Sequence, residues 1–190
     1  MTSSYDRKLR SELGKITIEM MQNHPEIAIG KLNDLHIQYP NNPVIMNNLT
    51  FCYYAVGEED KGLAMSDKLR ETYPNYLFGY ISSALTALSE NRHKEIPTIF
   101  NNCIDLQQLY PDRNTFHISE VMAFSHVMSK YFCRIGDIRS SRIYYNIMYK
   151  LDKEDTRLLD AMQEILALEN KINRSSKKNI FWNKIKSKLF

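Results

Sequence analysis

The chain has 190 residues with 25 Lys and Arg against 22 Asp and Glu, a formal net charge of +3. Only six Gly and six Pro are present, too few turn residues for an all-β fold of this length. The charge is uneven, because residues 171–190 contain seven Lys and Arg and no acid, whereas residues 1–170 contain all 22 acids. We therefore predict a mildly acidic folded body over residues 1–170 and a basic tail over residues 171–190.

Three cysteines, Cys52, Cys103 and Cys133, form no Cys-x-x-Cys pair. Cys52 and Cys133 lie on apolar helical stripes, which predicts buried free thiols. Residues 1–15 lack the apolar run of a secretory signal, and no stretch approaches the 18 apolar residues of a membrane span. We expect a cytoplasmic protein, with a peripheral position at the inner face of the membrane as an alternative.

The Tyr-Pro pair occurs three times, at Tyr39-Pro40, Tyr73-Pro74 and Tyr110-Pro111, with spacings of 34 and 37 residues. Proline cannot continue a helix, and the residue before it is disfavoured in the α conformation, so each pair predicts a helix end. A recurrence of this length is typical of an array built from copies of one supersecondary unit.

Residues 9–42 predict the first pair of helices. The turn between them is expected at His24-Pro25, and the second helix is expected to end before Pro40. The first helix is predicted from three apolar residues at helical spacing: Leu13, Ile16 and Met20.

Residues 43–76 predict the second pair. The first apolar stripe ends at Gly57, and the second ends at Tyr73-Pro74. The first stripe consists of Val44, Ile45, Leu49, Cys52, Tyr53 and Val56. The second consists of Gly62, Met65, Leu69 and Thr72. We predict two antiparallel helices joined by a short glycine turn.

This segment resembles the tetratricopeptide repeat (TPR) family. The positions that match the family pattern are Leu49, Tyr53, Gly57, Gly62 and Pro74. Ser66 and Leu69 depart from that pattern. The resemblance implies an all-α fold, a TPR-like α-solenoid of three to four stacked antiparallel helix pairs with a C-terminal capping helix.

The third and fourth pairs continue the same phase. In the third pair, over residues 77–111, Asn91 is expected at the turn and Pro97 near the start of the second helix. The fourth pair is anchored by Gly136-Asp137, and its first helix is expected to begin at about Asn114. Residues 155–171 predict an amphipathic capping helix. An ordinary bundle of six or seven helices is the alternative.

The resemblance also implies a concave groove lined by the first helix of each pair. The residues it assigns to that groove are Asn47, Phe51, Tyr54, Phe78, Ile81, Leu85, His126, Lys130 and Arg134. The amide of Asn47 would hold a peptide backbone, and the cations of Lys130 and Arg134 would bind a carboxylate. Two alternatives stay open: aromatic residues packed between repeats, and a basic pair on a solvated face.

The sequence contains no Gly-rich phosphate loop, no His-Glu-x-x-His and no Cys-x-x-Cys. His117 and Glu120 lie one turn apart, as in a metal site or an acid–base pair, but no third ligand joins them and a surface pair is favoured. We predict no catalytic residue, no metal and no cofactor, and hence a protein that is not an enzyme.

The tail reads KINRSSKKNIFWNKIKSKLF, with a predicted break at Ser175-Ser176. Apolar residues at helical spacing, surrounded by lysines, are typical of a helix at a membrane interface or of a partner contact. The residues are Lys177, Lys178, Phe181, Trp182, Lys184, Ile185, Lys186, Lys188 and Leu189. The alternatives are docking onto the chain itself, a disordered end, and nucleic-acid binding, which the acidic body disfavours.

The resemblance implies an adaptor or chaperone-like protein that binds a segment of a partner protein in its groove. Bacterial chaperones of type III secretion translocators are similar in length and repeat number, but the basic tail departs from their pattern. The alternative is an accessory subunit of a membrane-associated enzyme complex, such as a polysaccharide or glycosylation apparatus, located by its tail. A homo-oligomer stays open.

Overall fold

The computed structural model describes residues 4–16 and 18–189, and the side chains of residues 7–16 and 20–174. This part of the chain is all-α and contains no strand, which confirms the predicted fold class. Its helices are α1 (Ser4–Gly14), α2 (Ile18–Asn23), α3 (Pro25–Gln38), α4 (Pro43–Ala55), α5 (Glu59–Thr72), α6 (Leu77–Ser89), α7 (Ile96–Ile99), α8 (Leu106–Leu109), α9 (Ile118–Ile135), α10 (Ile138–Leu151) and α11 (Arg157–Leu189). A 3₁₀ turn at His93–Glu95 precedes α7.

The chain forms two compact units, Met1–Ser83 and Ala84–Phe190, which divide within α6. We refer to them as unit 1 and unit 2. The boundary predicted between residues 170 and 171 divides the acidic body from the basic tail by charge, not by contacts, and it stays a prediction.

All three Tyr-Pro pairs end a helix with the same local structure. Tyr39, Tyr73 and Tyr110 have φ of −133°, −131° and −131° and ψ of 63°, 69° and 73°. The amide of each tyrosine donates to the carbonyl of the leucine four residues earlier, and its own carbonyl accepts from the residue three positions later. The prediction that these pairs terminate helices is therefore confirmed.

The α4–α5 hairpin forms as predicted. Asn42 caps α4, since its Oδ1 accepts from the amides of Val44 at 3.0 Å and Ile45 at 3.2 Å. The helix ends before Gly57, whose φ of +77° lies in the left-handed region that glycine tolerates best. Helices of this length that pack together across a turn of three residues must run antiparallel.

The first helix of unit 1 is interrupted, contrary to the single helix expected across Leu13, Ile16 and Met20. α1 ends at Gly14 and α2 begins at Ile18, so Ile16 lies in the turn, yet it is buried. Gly14 is a weak helix former, which explains why the helix stops there. The core of unit 1 contains Leu9, Ile16, Met21, Ala28, Leu32, Leu35, Tyr39, Ile45, Leu49 and Cys52.

The prediction of a single second helix in the third pair is wrong. Instead of one helix after Pro97, the chain forms α7, a bend and α8. Asn101 and Asn102 both have positive φ, +52° and +60°, which stops α7 after one turn. Asp105 then begins α8 by accepting from the amide of Gln108 at 2.7 Å. Asn91, with φ of +58°, does form the predicted turn.

The α9–α10 hairpin is the centre of unit 2. Gly136 ends α9 with φ of +84°, and Asp137 caps α10 by accepting from the amide of Ser140 at 3.0 Å. The two helices pack closely because Ser129 and Ser141, both fully buried, bring their hydroxyl oxygens to 3.1 Å. The predicted turn at Gly136-Asp137 is confirmed.

α9 begins at Ile118, four residues after the predicted start, because His117 and Glu120 form a capping box. His117 Nδ1 accepts from the amide of Ser119 at 3.2 Å, and Glu120 accepts from the amide of His117 at 2.9 Å. Arg113 holds the same carboxylate at 2.7 Å. The pair therefore has a structural role at a helix start.

α11 is continuous from Arg157 to Leu189, so the predicted break at Ser175-Ser176 is wrong. No Gly or Pro occurs between those ends, and two serines alone do not stop a helix. The helix packs on α9 and α10 through buried Leu158, Ala161 and Ile165. The side chains from position 175 onward, including all nine predicted tail residues, lie outside the described part.

Candidate functional site

One face of α4 in unit 1 is apolar and accessible. Val44, Asn47, Phe51 and Ala55 recur at positions i, i+3, i+7 and i+11 and therefore share a helix face. Val44 is 40% exposed and Phe51 is 44% exposed, and Ala55 is also exposed. We call these four residues the α4 face. Of the two alternatives for Phe51, packing between repeats does not agree with this exposure, and the role of Phe51 in partner binding stays a prediction.

Asn47 places a polar group within the α4 face. Its Oδ1 accepts from the hydroxyl of Ser82 on α6 at 3.0 Å. This bond uses the amide oxygen and leaves the two hydrogens of the Nδ2 group as donors for a ligand. The bond to α6 also fixes the amide in one orientation beside the ring of Phe51.

Tyr54 packs within the α4–α5 hairpin and contributes little to the exposed surface. A Cβ built on Gly62 of α5 would lie 3.0 Å from the Tyr54 ring, so the ring packs directly on the glycine. The tyrosine is half-buried, and its hydroxyl is buried without a hydrogen-bond partner in the described part of the chain. The Tyr54 ring is therefore part of the contact between α4 and α5.

The three predicted residues of α6 have different environments. In unit 1, Ile81 is buried, and Phe78 is half-buried with its ring centroid 5.7 Å from that of Tyr76. In unit 2, Leu85 is 37% exposed. Only Phe78 thus adds accessible apolar area to the unit that carries the α4 face.

In unit 2, the three predicted residues of α9 all contact carboxylates of α11. His126 Nε2 lies 2.7 Å from Asp160 Oδ2, and Lys130 Nζ lies 2.7 Å from the same oxygen. Glu164 accepts from Lys130 at 3.2 Å and from Arg134 at 3.3 Å. We call these five residues the α9–α11 cluster.

Burial and pairing act in opposite directions on the pKa values of this cluster. Burial lowers the pKa of His126, and the bond to Asp160 opposes this only in part. Burial alone would lower the pKa of Lys130, but its bonds to Asp160 and Glu164 raise it overall. Burial alone would raise the pKa of Asp160, but the bonds from Lys130 and His126 lower it overall. Neutral His126 and charged Lys130 and Asp160 therefore coexist near neutral pH.

The sequence-based interpretation did not include Asp160 and Glu164. They lie one turn apart on α11, as Lys130 and Arg134 do on α9, and that matched spacing was the available signal. Arg134 keeps access to solvent, with 38% of its side chain exposed, and lines an open cavity of about 390 Å³ with His93, Glu164 and Lys171. The other two α9 residues of the cluster, His126 and Lys130, are covered by α11.

Neither a cluster of metal ligands nor a membrane-spanning helix occurs among the described residues. No group of three or more His, Cys, Asp or Glu side chains there is arranged to hold a metal ion. Cys52 and Cys133 are buried free thiols, as predicted, and burial raises the pKa of Cys52 to about 11. None of the described helices combines the length and the apolar character of a membrane span.

The fold and the α4 face together define an all-helical protein with an accessible apolar surface on a single helix. Comparison of the chain with protein-family models, with curated proteins and with solved structures gives no match. The function is therefore inferred from the geometry of the chain itself.

Proposed function

We propose that this chain is a non-enzymatic, TPR-like adaptor with a chaperone-like role, which binds a segment of a partner protein on the α4 face. The observation that carries the proposal is the exposure of Val44 and Phe51 on either side of Asn47. The three helices that end in the same Tyr-Pro geometry support the repeat architecture, an α-solenoid, that the proposal assumes.

The α4 face favours a partner segment that offers an apolar side chain and a backbone carbonyl. Phe51 and Val44 offer contact area to an apolar side chain, and an aromatic anchor of this kind dominates many interfaces. Asn47 Nδ2 would donate to a backbone carbonyl of the bound segment, while Ser82 keeps the amide in place. A short segment with an apolar residue next to an accessible carbonyl satisfies both.

The test compares Phe51→Ala and Asn47→Ala with the control Ile37→Ala, a residue of α3 that is 79% exposed. Proteins captured by the wild-type chain are identified by quantitative mass spectrometry, and the specific partner is then purified and titrated. We expect Phe51→Ala to weaken binding by roughly tenfold, in line with the loss of a central aromatic contact, and Ile37→Ala to leave it unchanged. Equal affinity for all four proteins would overturn the proposal.

A second candidate function is an accessory subunit of a membrane-associated enzyme complex, located by the tail. The observation that favours it is the helical backbone of α11 up to Leu189, because a helix lying in a lipid interface needs that conformation. Residues 171–190 supply seven basic side chains for anionic headgroups.

A further inference from the structure

α11 has an apolar strip on the side that does not pack against the rest of unit 2. Leu159 is 67% exposed and Leu166 is 49% exposed, and they lie seven residues apart with half-buried Met162 between them. The buried side of the same helix is formed by other residues, among them Leu158 and Ile165. We call Leu159, Met162 and Leu166 the α11 strip.

The spacing of the α11 strip is that of a paired helix. Single exposed leucines are ordinary on protein surfaces. Apolar residues at i, i+3 and i+7, however, form the seam along which two helices pack. A helix that caps a repeat stack is expected to have a polar outer face, whereas the α11 strip is apolar.

The charges at the two ends of the strip are opposite. Residues 152–157, at the entry to α11, carry three acids, one Lys and one Arg, a net charge of −1, whereas residues 171–174 carry one Lys and one Arg and no acid. If two α11 helices pair antiparallel, the acidic entry of each lies beside the basic exit of the other. If they pair parallel, two tails with seven basic residues each lie side by side and repel.

We propose that α11 pairs with α11 of a second copy of this chain in an antiparallel, two-fold arrangement. Leu159 of each copy packs against Leu166 of the other, and the two Met162 side chains meet near the axis. Such an interface is isologous, so it closes at a dimer. It uses none of the residues of the α4 face, so each dimer carries two α4 faces and the proposal stands independently of the proposed function.

The oligomeric state tests the interface. Light scattering and sedimentation at about 1 to 100 µM compare the wild-type chain with Leu159→Gln/Leu166→Gln and with the control Ile143→Gln, on an exposed residue of α10. We expect dimers for wild type and control, and a dissociation constant raised at least about tenfold for the double variant. A monomeric wild type, or a double variant as dimeric as wild type, overturns the proposal.

Disulfide cross-linking tests the orientation and does not depend on the double variant. Antiparallel pairing brings Gln163→Cys of one copy close to Gln163→Cys of the other. It also separates two copies of Arg174→Cys by roughly 35 Å along the helix axis, at a rise of about 1.5 Å per residue. We expect cross-linked dimers for Gln163→Cys only, above the background of the wild-type cysteines. Cross-linking at position 174, or none at position 163, contradicts the antiparallel pair.

Discussion

At Gly62, α5 lies so close to α4 that an added methyl group would be crowded. The ring of Tyr54 is the neighbour in question, and an added Cβ would lie 3.0 Å from two of its atoms. The ring is a side chain, however, and can move or be removed without changing the backbone. The stability of the hairpin should therefore depend on the two residues jointly.

We predict that Gly62→Ala destabilises the wild-type chain by about 1 kcal/mol, because displacing Tyr54 outweighs the gain in helix propensity. In a Tyr54→Ala background the same substitution should stabilise by up to about 1 kcal/mol, since only the propensity gain is left. Urea unfolding of the four proteins measures this double-mutant cycle.

Gly30→Ala is the matched control, because no atom lies within 4 Å of the corresponding Cβ position on α3. It should stabilise the chain in both backgrounds by about 0.5–1 kcal/mol. If the effect of Gly62→Ala has the same sign with and without the Tyr54 ring, the proposed close contact is not what decides the substitution.

At the level of helices, the α9–α11 cluster attaches the C-terminal helix α11 to α9 through ion pairs. His126 contacts Asp160 directly, and Lys130 of α9 and Arg157 of α11 are the cations near it. Because burial lowers the pKa of His126, the folded chain keeps this imidazole neutral at a pH where the unfolded chain protonates it.

We predict that the stability contributed by neutral His126 is fully present above the ordinary histidine pKa of about 6.5 and is lost as the pH falls below it. Thermal unfolding between about pH 7 and pH 5 should show a smaller loss of stability for His126→Gln than for wild type. Asp160 stays charged across this range, since its pKa is lowered.

In His126→Gln the loss of stability at low pH should be reduced but not abolished, because burial and Lys68 also lower the pKa of His36. His24→Gln, at an exposed position, serves as the control substitution. An unchanged pH profile for His126→Gln would mean that the cluster does not couple protonation to the attachment of α11.

Helix ends were predictable where one residue fixes the backbone, as glycine does at Gly57 and Gly136 and proline does after Tyr39 and Tyr73. The bend at Asn101-Asn102 was not, because asparagine also occurs within helices and only the local packing selects positive φ. For the candidate site, helical periodicity placed Asn47 and Phe51 on one face. It did not predict that Asp160 contacts α9, since contacts between residues 30 or more positions apart depend on how the helices pack.

For the molecule as a whole, the acidic body and the basic tail suggest two separable activities. The α4 face and the α11 strip both lie before position 171, whereas the seven basic residues lie at position 171 and beyond. Removing residues 172–190 therefore leaves the proposed partner-binding and pairing residues in place.

We predict that the full chain sediments with vesicles rich in phosphatidylserine and that the chain lacking residues 172–190 does not. Each lysine near an anionic surface contributes about 1 kcal/mol, so added salt should release the full chain. Neutral vesicles and the dimer assay on the shortened chain are the controls. Equal sedimentation of both chains would exclude the tail as a membrane anchor.

The three Tyr-Pro corners have nearly identical dihedral angles although they are 34 and 37 residues apart in the sequence. The extra length coincides with the bend at Asn101-Asn102, while the corner itself is unchanged. A strict 34-residue window would thus overlook the third corner in chains of this kind. The short pattern Leu-x-x-x-Tyr-Pro, by contrast, detects all three, whatever the length of the segment between them.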